Sequence, residues 1–362
     1  MKGLILSGGH GTRLRPITYT NAKQLVPVAN KPILFYALEA MAQAGIKEVG
    51  IIIGHTGPEV IKAVGDGSTW GLQVTYITQE EPLGLAHCVL IAQDFLSTDD
   101  FVMYLGDNLL RQGISPYIEQ FQKLKLKFQN SPIAHLLLSE VENAAQFGVA
   151  TLNDKGEVIR LVEKPQEPES NLALVGMYIF DHHIHDAVRS ISPSKRGELE
   201  ITDAIQWLID NGVKVSSQII QGWWIDTGNL ESLLEGNKLV LDMVETNIEG
   251  DVDKDCILSG EVVVQPGARV ENCKIEGPVI IGKDAYLKDC YIKAFTSIQN
   301  NCKLEKCQVQ NSILLKNSSI VGSIEVRDSL IGKSAQVFAT DEAIKCVKLM
   351  IGDSSKVDLT KG

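Results

Sequence analysis

Short apolar runs alternate with helical patterns along the first two thirds of the chain. Val49 to Ile53, Gln73 to Ile77 and Phe101 to Leu105 are brief apolar or β-branched runs, each the length of a buried strand. Between them lie helical spacings. In one, Ile33, Leu34, Ala37, Leu38 and Met41 share a face, with Lys31-Pro32 as its first turn and Gly45 as its stop. Another runs from Gly84 to Leu96. This alternation over residues 1–245 predicts an α/β domain, a mostly parallel sheet covered by helices on both faces.

After about residue 250 the helical pattern gives way to a repeat. Cys256, Cys273, Cys290 and Cys307 recur every 17 residues, and three apolar columns keep the same period. The columns are Leu258, Ile275, Ile292, Val309; Val264, Ile281, Ile298, Leu315; and Val270, Leu287, Leu304, Val321. Within a turn the steps are 6, 6 and 5 residues. A coil with three short faces, each with one inward apolar residue, has that spacing, so 250–333 reads as a triangular parallel β-helix. Coils stacked ~4.8 Å apart place the four cysteines in one ladder. There a thiol serves as a small buried hydrophobe, and a linear column without histidine does not suit a tetrahedral metal. Residues 334–362 form a mixed tail, with Ala343 to Met350 suited to a short helix or a last strand.

Charge narrows the partners. A net charge of −11 argues against nucleic acid, so a phosphorylated ligand must find a local cationic site, with a metal ion as its natural companion. No apolar run approaches the roughly 18 residues of a membrane span. Leu4-Ile5-Leu6 is too short for a signal peptide, which makes the cytoplasm the expected compartment. Adjacent disulfides are not expected in a reducing cytosol.

Candidate chemistry gathers where strands are expected to end. Leu4-Ile5-Leu6 runs into Gly8, Gly9 and Gly11, then Thr12, Arg13 and Arg15, with Lys23 close behind. Bare backbone at a strand's carboxyl end can approach a phosphate or base edge, and the arginines supply charge. The spacing fits neither the dinucleotide fingerprint nor a P-loop. Asp107 follows an apolar strand in Leu105-Gly106-Asp107-Asn108, and Asp226 follows Trp223-Trp224-Ile225. Such carboxylates suit Mg²⁺, although each segment alone also suits a plain turn. In Val162-Glu163-Lys164-Pro165, Glu163 can accept sugar hydroxyls and Lys164 can take a phosphate. The Gln79 amide donates and accepts, which suits a pyrimidine edge, and Gly84 adds open backbone.

Together these segments resemble the sugar-1-phosphate nucleotidylyltransferases. The resemblance rests on Ser-Gly-Gly-His-Gly-Thr-Arg-Leu-Arg-Pro, Ala-Lys-Gln-Leu-Val-Pro-Val, Leu-Gly-Asp-Asn, Val-Glu-Lys-Pro and Ile-Asp-Thr-Gly, in that order. Gly65-Asp66-Gly67-Ser68, Trp70-Gly71-Leu72 and Gly197 to Asp203 bring it nearest to the long-form glucose-1-phosphate thymidylyltransferases. That branch implies a Rossmann-like catalytic domain of nucleotide-diphospho-sugar transferase type followed by a left-handed β-helix. It also implies Mg²⁺-dependent transfer of a thymidylyl group from dTTP to glucose 1-phosphate, giving dTDP-glucose and pyrophosphate. Carried over by position, Gly8, Gly9, Gly11 and Thr12 line the nucleotide, and Gln79 and Gly84 read its base. Arg13 and Lys23 meet the phosphates, Asp107 and Asp226 hold Mg²⁺, Gly148, Glu163 and Val175 meet the sugar, and Lys164 takes its phosphate.

Three alternatives stand beside this one. Uridylyl transfer from UTP uses the same residues, because uracil and thymine share the edge that Gln79 would read. A second, acyl-transferring activity on the coils would need a general base, yet all seven histidines precede residue 186. A non-catalytic regulatory subunit would have no need of Arg13, Lys23, Asp107, Lys164 and Asp226 together. The coil domain is expected to be structural, joining copies of the chain into a homo-oligomer, since stacked coils leave ends and flat faces to cover.

Overall fold

Leu4 and Ile5 are wholly buried in the strand Lys2–Ser7, which pairs in parallel with Glu48–Ile53 on one side and Phe101–Leu105 on the other. Gln73–Thr78 adds in parallel beyond Glu48–Ile53. These four strands point one way, so Ser7, Ile53, Thr78 and Leu105 end along one edge. The structure is a computed structural model and describes residues 1–129, 131, 133–339 and 346–360. Beyond Phe101–Leu105 the sheet turns antiparallel through Leu172–Phe180, which pairs with Ile133–Glu140 and Gly148–Leu152. Val158–Glu163 and Lys214–Ile219 complete nine strands. Phe101, Leu136, Phe180 and Ile205 belong to the core that this sheet shares with its helices.

Two expected helices differ in detail. The helix expected from Lys31 begins at Ile33, and Lys31–Pro32 pairs instead with Pro27–Val28. Ala29 and Asn30 turn the chain back with φ of 46° and 64°, and this turn overrides proline's preference for a first helical turn. The pattern from Gly84 to Leu96 forms two helices, Leu85–Ile91 and Gln93–Leu96, broken at Ala92.

The chain divides into two compact units, Met1–His10 with Leu34–Asp226, and Gly11–Ile33 with Thr227–Gly362. In the second, three parallel sheets of seven, seven and five strands stack as the faces of a left-handed parallel β-helix. Asn272, Asp289 and Lys306, 17 residues apart, turn one corner with φ of 47°, 54° and 55°. Asn and Asp enter this left-handed region more readily than most residues. Leu258, Ile275, Ile292 and Val309 pair in register as expected.

The other two columns slip. Ile298 pairs with Leu314 and Leu304 with Ile320, each one residue before the position expected from a strict repeat. From Val309 the short step lies on a different face: Leu314 follows after five residues. Leu314-Leu315 and Ile320-Val321 are adjacent apolar pairs, so pattern alone does not show which member faces inward.

The cysteines do form a ladder. The Cys273 and Cys290 backbone N–H groups donate to Cys256 Sγ and Cys273 Sγ at 3.3 and 3.4 Å, and Cys290 Sγ lies 3.7 Å from Cys307 Sγ. All seven cysteines are free thiols. Residues 343–345 of the tail lie outside the described residues. Further on, Met350–Ile351 and Lys356–Asp358 extend two faces by pairing with Leu330–Ile331 and Gln336–Phe338. Among the described residues no helix is long and apolar enough to cross a membrane.

Ile292 is wholly buried within the coils. Ile292→Ala is expected to lower the unfolding free energy of this unit by about 2–5 kcal/mol in a denaturant titration.

Candidate active site

In the first unit the carboxyl edge of the parallel strands carries Gly8, Gly9, Gln79, Gly84 and Asp107. Gly8 leaves Lys2–Ser7 beside Gln79: a Cβ on Gly8 would lie 3.1 Å from Gln79 Oε1. The Gln79 backbone N–H continues the ladder to Ile53 O at 2.8 Å. Its side-chain nitrogen donates to Gly84 O at 3.4 Å and faces His87 Nδ1 at 3.0 Å. Burial pushes the His87 pKa down, which keeps the ring neutral and Nδ1 able to accept. Gly84, with φ of 105°, passes so close to Leu199 that a Cβ would lie 2.4 Å from its carbonyl oxygen. Gly9 has open space around it.

Of the two aspartates, one ends a short antiparallel ladder and the other directly precedes its opposite strand. Asn108–Leu110 pairs with Trp224–Asp226, and Asp226 stands opposite Asn108, next in sequence to Asp107. Asn108 is buried and aimed from two sides. Trp224 Nε1 donates to its Oδ1 at 2.6 Å, and its own Nδ2 donates to Asp107 Oδ1 at 2.9 Å. A Cβ at Gly176 would strike that Asn108 oxygen at 2.6 Å, so glycine leaves the amide its room. One carboxylate at the end of this ladder and one directly before it suit Mg²⁺, which binds through one or two carboxylates and fills its remaining positions with water and phosphate oxygens.

A third group forms around Glu163, which ends Val158–Glu163 opposite Gly148. Lys164 Nζ and Arg196 Nη1 approach Glu163 Oε1 at 3.4 and 3.3 Å, and Thr202 Oγ1 donates to Oε2 at 3.5 Å. A Cβ on Gly148 would lie 3.2 Å from that same Oε2. Desolvation raises the Glu163 pKa, opposed by Lys164 and Arg196 and reinforced by Glu200. The Lys164 backbone N–H donates to Phe147 O at 3.0 Å, and the Phe147 ring meets Trp224 edge-on, 5.3 Å between centroids. The Glu163 cluster and the ladder of Trp224–Asp226 thus share one aromatic contact. Val175 is wholly buried, in the stretch of Leu172–Phe180 where pairing with Ile133–Glu140 slips register.

Gly11, Thr12, Arg13 and Lys23 belong to the second unit. Gly11, with φ of 61°, is packed so that a Cβ would lie 3.0 Å from both Lys23 Cβ and Thr18 Cγ2. Thr18 Oγ1 donates to Gly11 O at 2.7 Å. Thr12 and Arg13 are exposed on a single 3₁₀ turn, Thr12–Leu14, whose Leu14 is wholly buried.

Sequence reasoning missed His87, Asn108, Trp224, Arg196 and Thr202 as supports. Three of them carried a signal: Asn108 lies inside Leu-Gly-Asp-Asn, Trp224 inside Trp223-Trp224-Ile225-Asp226, and Thr202 inside Gly197 to Asp203.

Comparison with known proteins fits this geometry. The nucleotidyl transferase profile matches residues 2–243. The chain therefore belongs to the nucleotidyl transferase family. It is 56% identical over 272 residues to a glucose-1-phosphate thymidylyltransferase of Streptomyces griseus, covering 75% of each chain. A Bacillus anthracis structure described as a glucose-1-phosphate thymidylyltransferase, solved with sucrose, superposes with a TM-score of 0.62 at 36% identity. That match covers 68% of this chain and 98% of the other. A UDP-glucose pyrophosphorylase holding UDP-glucose gives a TM-score of 0.59 at 25% identity, over 67% and 99% of the two chains.

Gly84→Ala forces a β-carbon against Leu199 and keeps a strained φ. It is expected to cost about 1–3 kcal/mol or more in thermal or chemical unfolding.

Proposed function

We propose that the chain transfers a thymidylyl group from dTTP to glucose 1-phosphate with Mg²⁺, releasing pyrophosphate and dTDP-glucose. The observation that carries the reaction class is the placement of Asp226 opposite Asn108, next in sequence to Asp107, which follows a strand of the sheet whose carboxyl edge also carries Gln79. An oxygen of the sugar phosphate attacks the α-phosphorus, the bond from that phosphorus to the β-phosphate bridging oxygen breaks, and pyrophosphate leaves. The nucleophile is already an anion, so positioning and charge neutralisation supply the catalysis.

In this reading Asp107 and Asp226 hold Mg²⁺, which when bound neutralises phosphate charge. Gly8, Gly9, Gly11 and Thr12 line the nucleotide, while Gln79, set by His87, reads the pyrimidine edge with Gly84. Arg13 and Lys23 take the triphosphate and the leaving pyrophosphate. Glu163 and Gly148 receive the sugar with the backbone of Val175, whose side chain is buried, and Lys164 takes the sugar's phosphate. The likeness to the Streptomyces griseus enzyme supports dTTP as the nucleotide. Uridylyl transfer is the second reading, favoured by the likeness to a UDP-glucose pyrophosphorylase.

We place the enzyme in the cytoplasm, where nucleoside triphosphates and sugar phosphates occur. The catalytic domain spans 1–245, the coil domain begins at 250, and copies join as a homo-oligomer. Ile257, 62% exposed on the first strand of one coil face, supports an apolar contact there.

Pyrophosphate release with glucose 1-phosphate and Mg²⁺, compared across dTTP, UTP, CTP, GTP and ATP, tests the proposal. A preference for dTTP is expected, and better use of UTP would transfer the assignment to uridylyl transfer. Asp107→Asn and Asp226→Asn should each remove most of kcat with little change in unfolding temperature. Normal turnover of either across a magnesium titration would refute the metal assignment.

Glu163 accepts sugar hydroxyls best when ionised, and its pKa lies above the ordinary 4.5. Lowering pH should therefore raise the sugar-phosphate KM from a higher pH than an ordinary glutamate would. Glu163→Gln should start with a raised KM and lack that component. Matching pH profiles for mutant and wild type would contradict the role.

A further inference from the structure

Segment Gly11–Ile33, which carries Thr12, Arg13 and Lys23, shares its compact unit with the coils. The two are tied at three places. Asp353, just past Met350–Ile351, accepts from Thr20 Oγ1 at 3.0 Å and from Asn21 Nδ2 at 2.8 Å on one oxygen. Its other oxygen accepts from the Lys333 backbone N–H at 2.8 Å, and Lys333 Nζ donates to Asn21 Oδ1. Next to it, Gly352 lies against Pro16, where a Cβ would come within 3.2 Å of Pro16 Cβ.

The third tie is Asn237, wholly buried on the helix Leu230–Leu241. Its Oδ1 accepts from the Ala29 backbone N–H at 2.9 Å and from Ser297 Oγ at 2.7 Å, and its Nδ2 donates to Phe295 O at 3.1 Å. Asn30 Nδ2 donates to Ile298 O at 2.7 Å, which fastens the same tight turn directly to a coil strand.

Within the segment, regular structure is slight. Thr12–Leu14, Ile17–Tyr19 and Lys23–Leu25 are single 3₁₀ turns of three residues each. Turns this short have poor hydrogen-bond geometry and no cooperative length, so they hold a position only when something outside fixes them. Lys23 lies two residues past Asn21, and Arg13 lies on the other side of the Pro16 contact. The placement of both cations therefore depends on anchors supplied by the coil unit.

We propose that Asp353 is a positioning residue for the transfer reaction: through Asn21 and Thr20 it braces the cationic segment, and the coil unit serves as that segment's scaffold. The effect on rate rests on the nucleotidyl-transfer reading above. The bracing itself does not. Arg13 and Lys23 act on charge that develops at phosphorus, where a displacement of about 1 Å costs up to about a hundredfold in rate. Substrate binding is spread over many other contacts and is far less sensitive to such a displacement.

The test uses the full chain with Asp353→Ala, Asn21→Ala, their double mutant, and Thr20→Val. Thr20→Val removes the exposed bond to Asp353 together with the local bonds of the same hydroxyl to Ile17 O and Asn21 Nδ2, at an exposed position and with a side chain of the same shape. Amide hydrogen exchange is expected to quicken across residues 18–26 in Asp353→Ala, with Lys2–Ser7 and the buried coil strands unchanged. Its kcat should fall about ten- to hundredfold with the glucose 1-phosphate KM nearly unchanged. The double mutant should lose less than the product of the two single losses, because both changes cut the Asn21–Asp353 bond. Thr20→Val should move exchange and kcat in the same direction by less, and it decides the matter should Asp353→Ala fail to fold. Unchanged exchange in the segment, unchanged kcat, or losses that multiply in the double mutant would each overturn the proposal. A wild type that releases no pyrophosphate from any triphosphate would overturn the reaction instead. In that case the exchange data alone would decide whether Asp353 braces the segment.

Discussion

Parallel pairing of four strands is the constraint on which the first unit depends. When Lys2–Ser7 hydrogen-bonds to strands of the same direction on both sides, every loop that follows a strand leaves by the same edge. Gly8, Gln79 and Gly106-Asp107 reach that edge from three separate stretches of sequence. A parallel sheet also buries its strands, which leaves the loops as the place where polar groups can meet a ligand. Close backbone approaches then tune the edge: the Gly106 N–H donates to Leu6 O at 2.9 Å, and Gly54 passes tightly against Gly8.

Three of the candidate groups sit on supports that limit their freedom. Gln79 is held by His87, Asp107 by Asn108 and through it by Trp224, Glu163 by Lys164, Arg196 and Thr202. Preorganisation of this kind matters for a reaction without a general base, because rate then depends on where charges stand rather than on proton transfer. Glu163 shows the competing demands. Desolvation raises its pKa, while Lys164 and Arg196 favour the ionised carboxylate.

Much of this was legible in the chain before any coordinates. Strand ends followed from apolar runs that stop at glycine or acid, and the coil followed from cysteines recurring every 17 residues. Both patterns are local or strictly periodic. What stayed hidden is of another kind. The shifted short step at Val309 was masked by adjacent apolar pairs, either of which fills an inward position. The hairpin at Pro27–Pro32 was masked by a proline that suits a helix start as well as a strand. His87 and Arg196 are ordinary residues until the fold sets them beside Gln79 and Glu163. The grouping of Gly11–Ile33 with the coils leaves no mark on either segment's composition.

That grouping has a bearing on how the protein is made. Asn21 and Asp353 are 332 residues apart in the chain. At roughly 5–20 residues per second, a ribosome exposes the first some 15 to 70 seconds before it supplies the second. Over that interval the strands of the first unit have partners to pair with, while Thr20 and Asn21 have no Asp353 to hold them. The coil turn that carries Asp353 is thus made long after the early segment whose hydrogen bonds it completes.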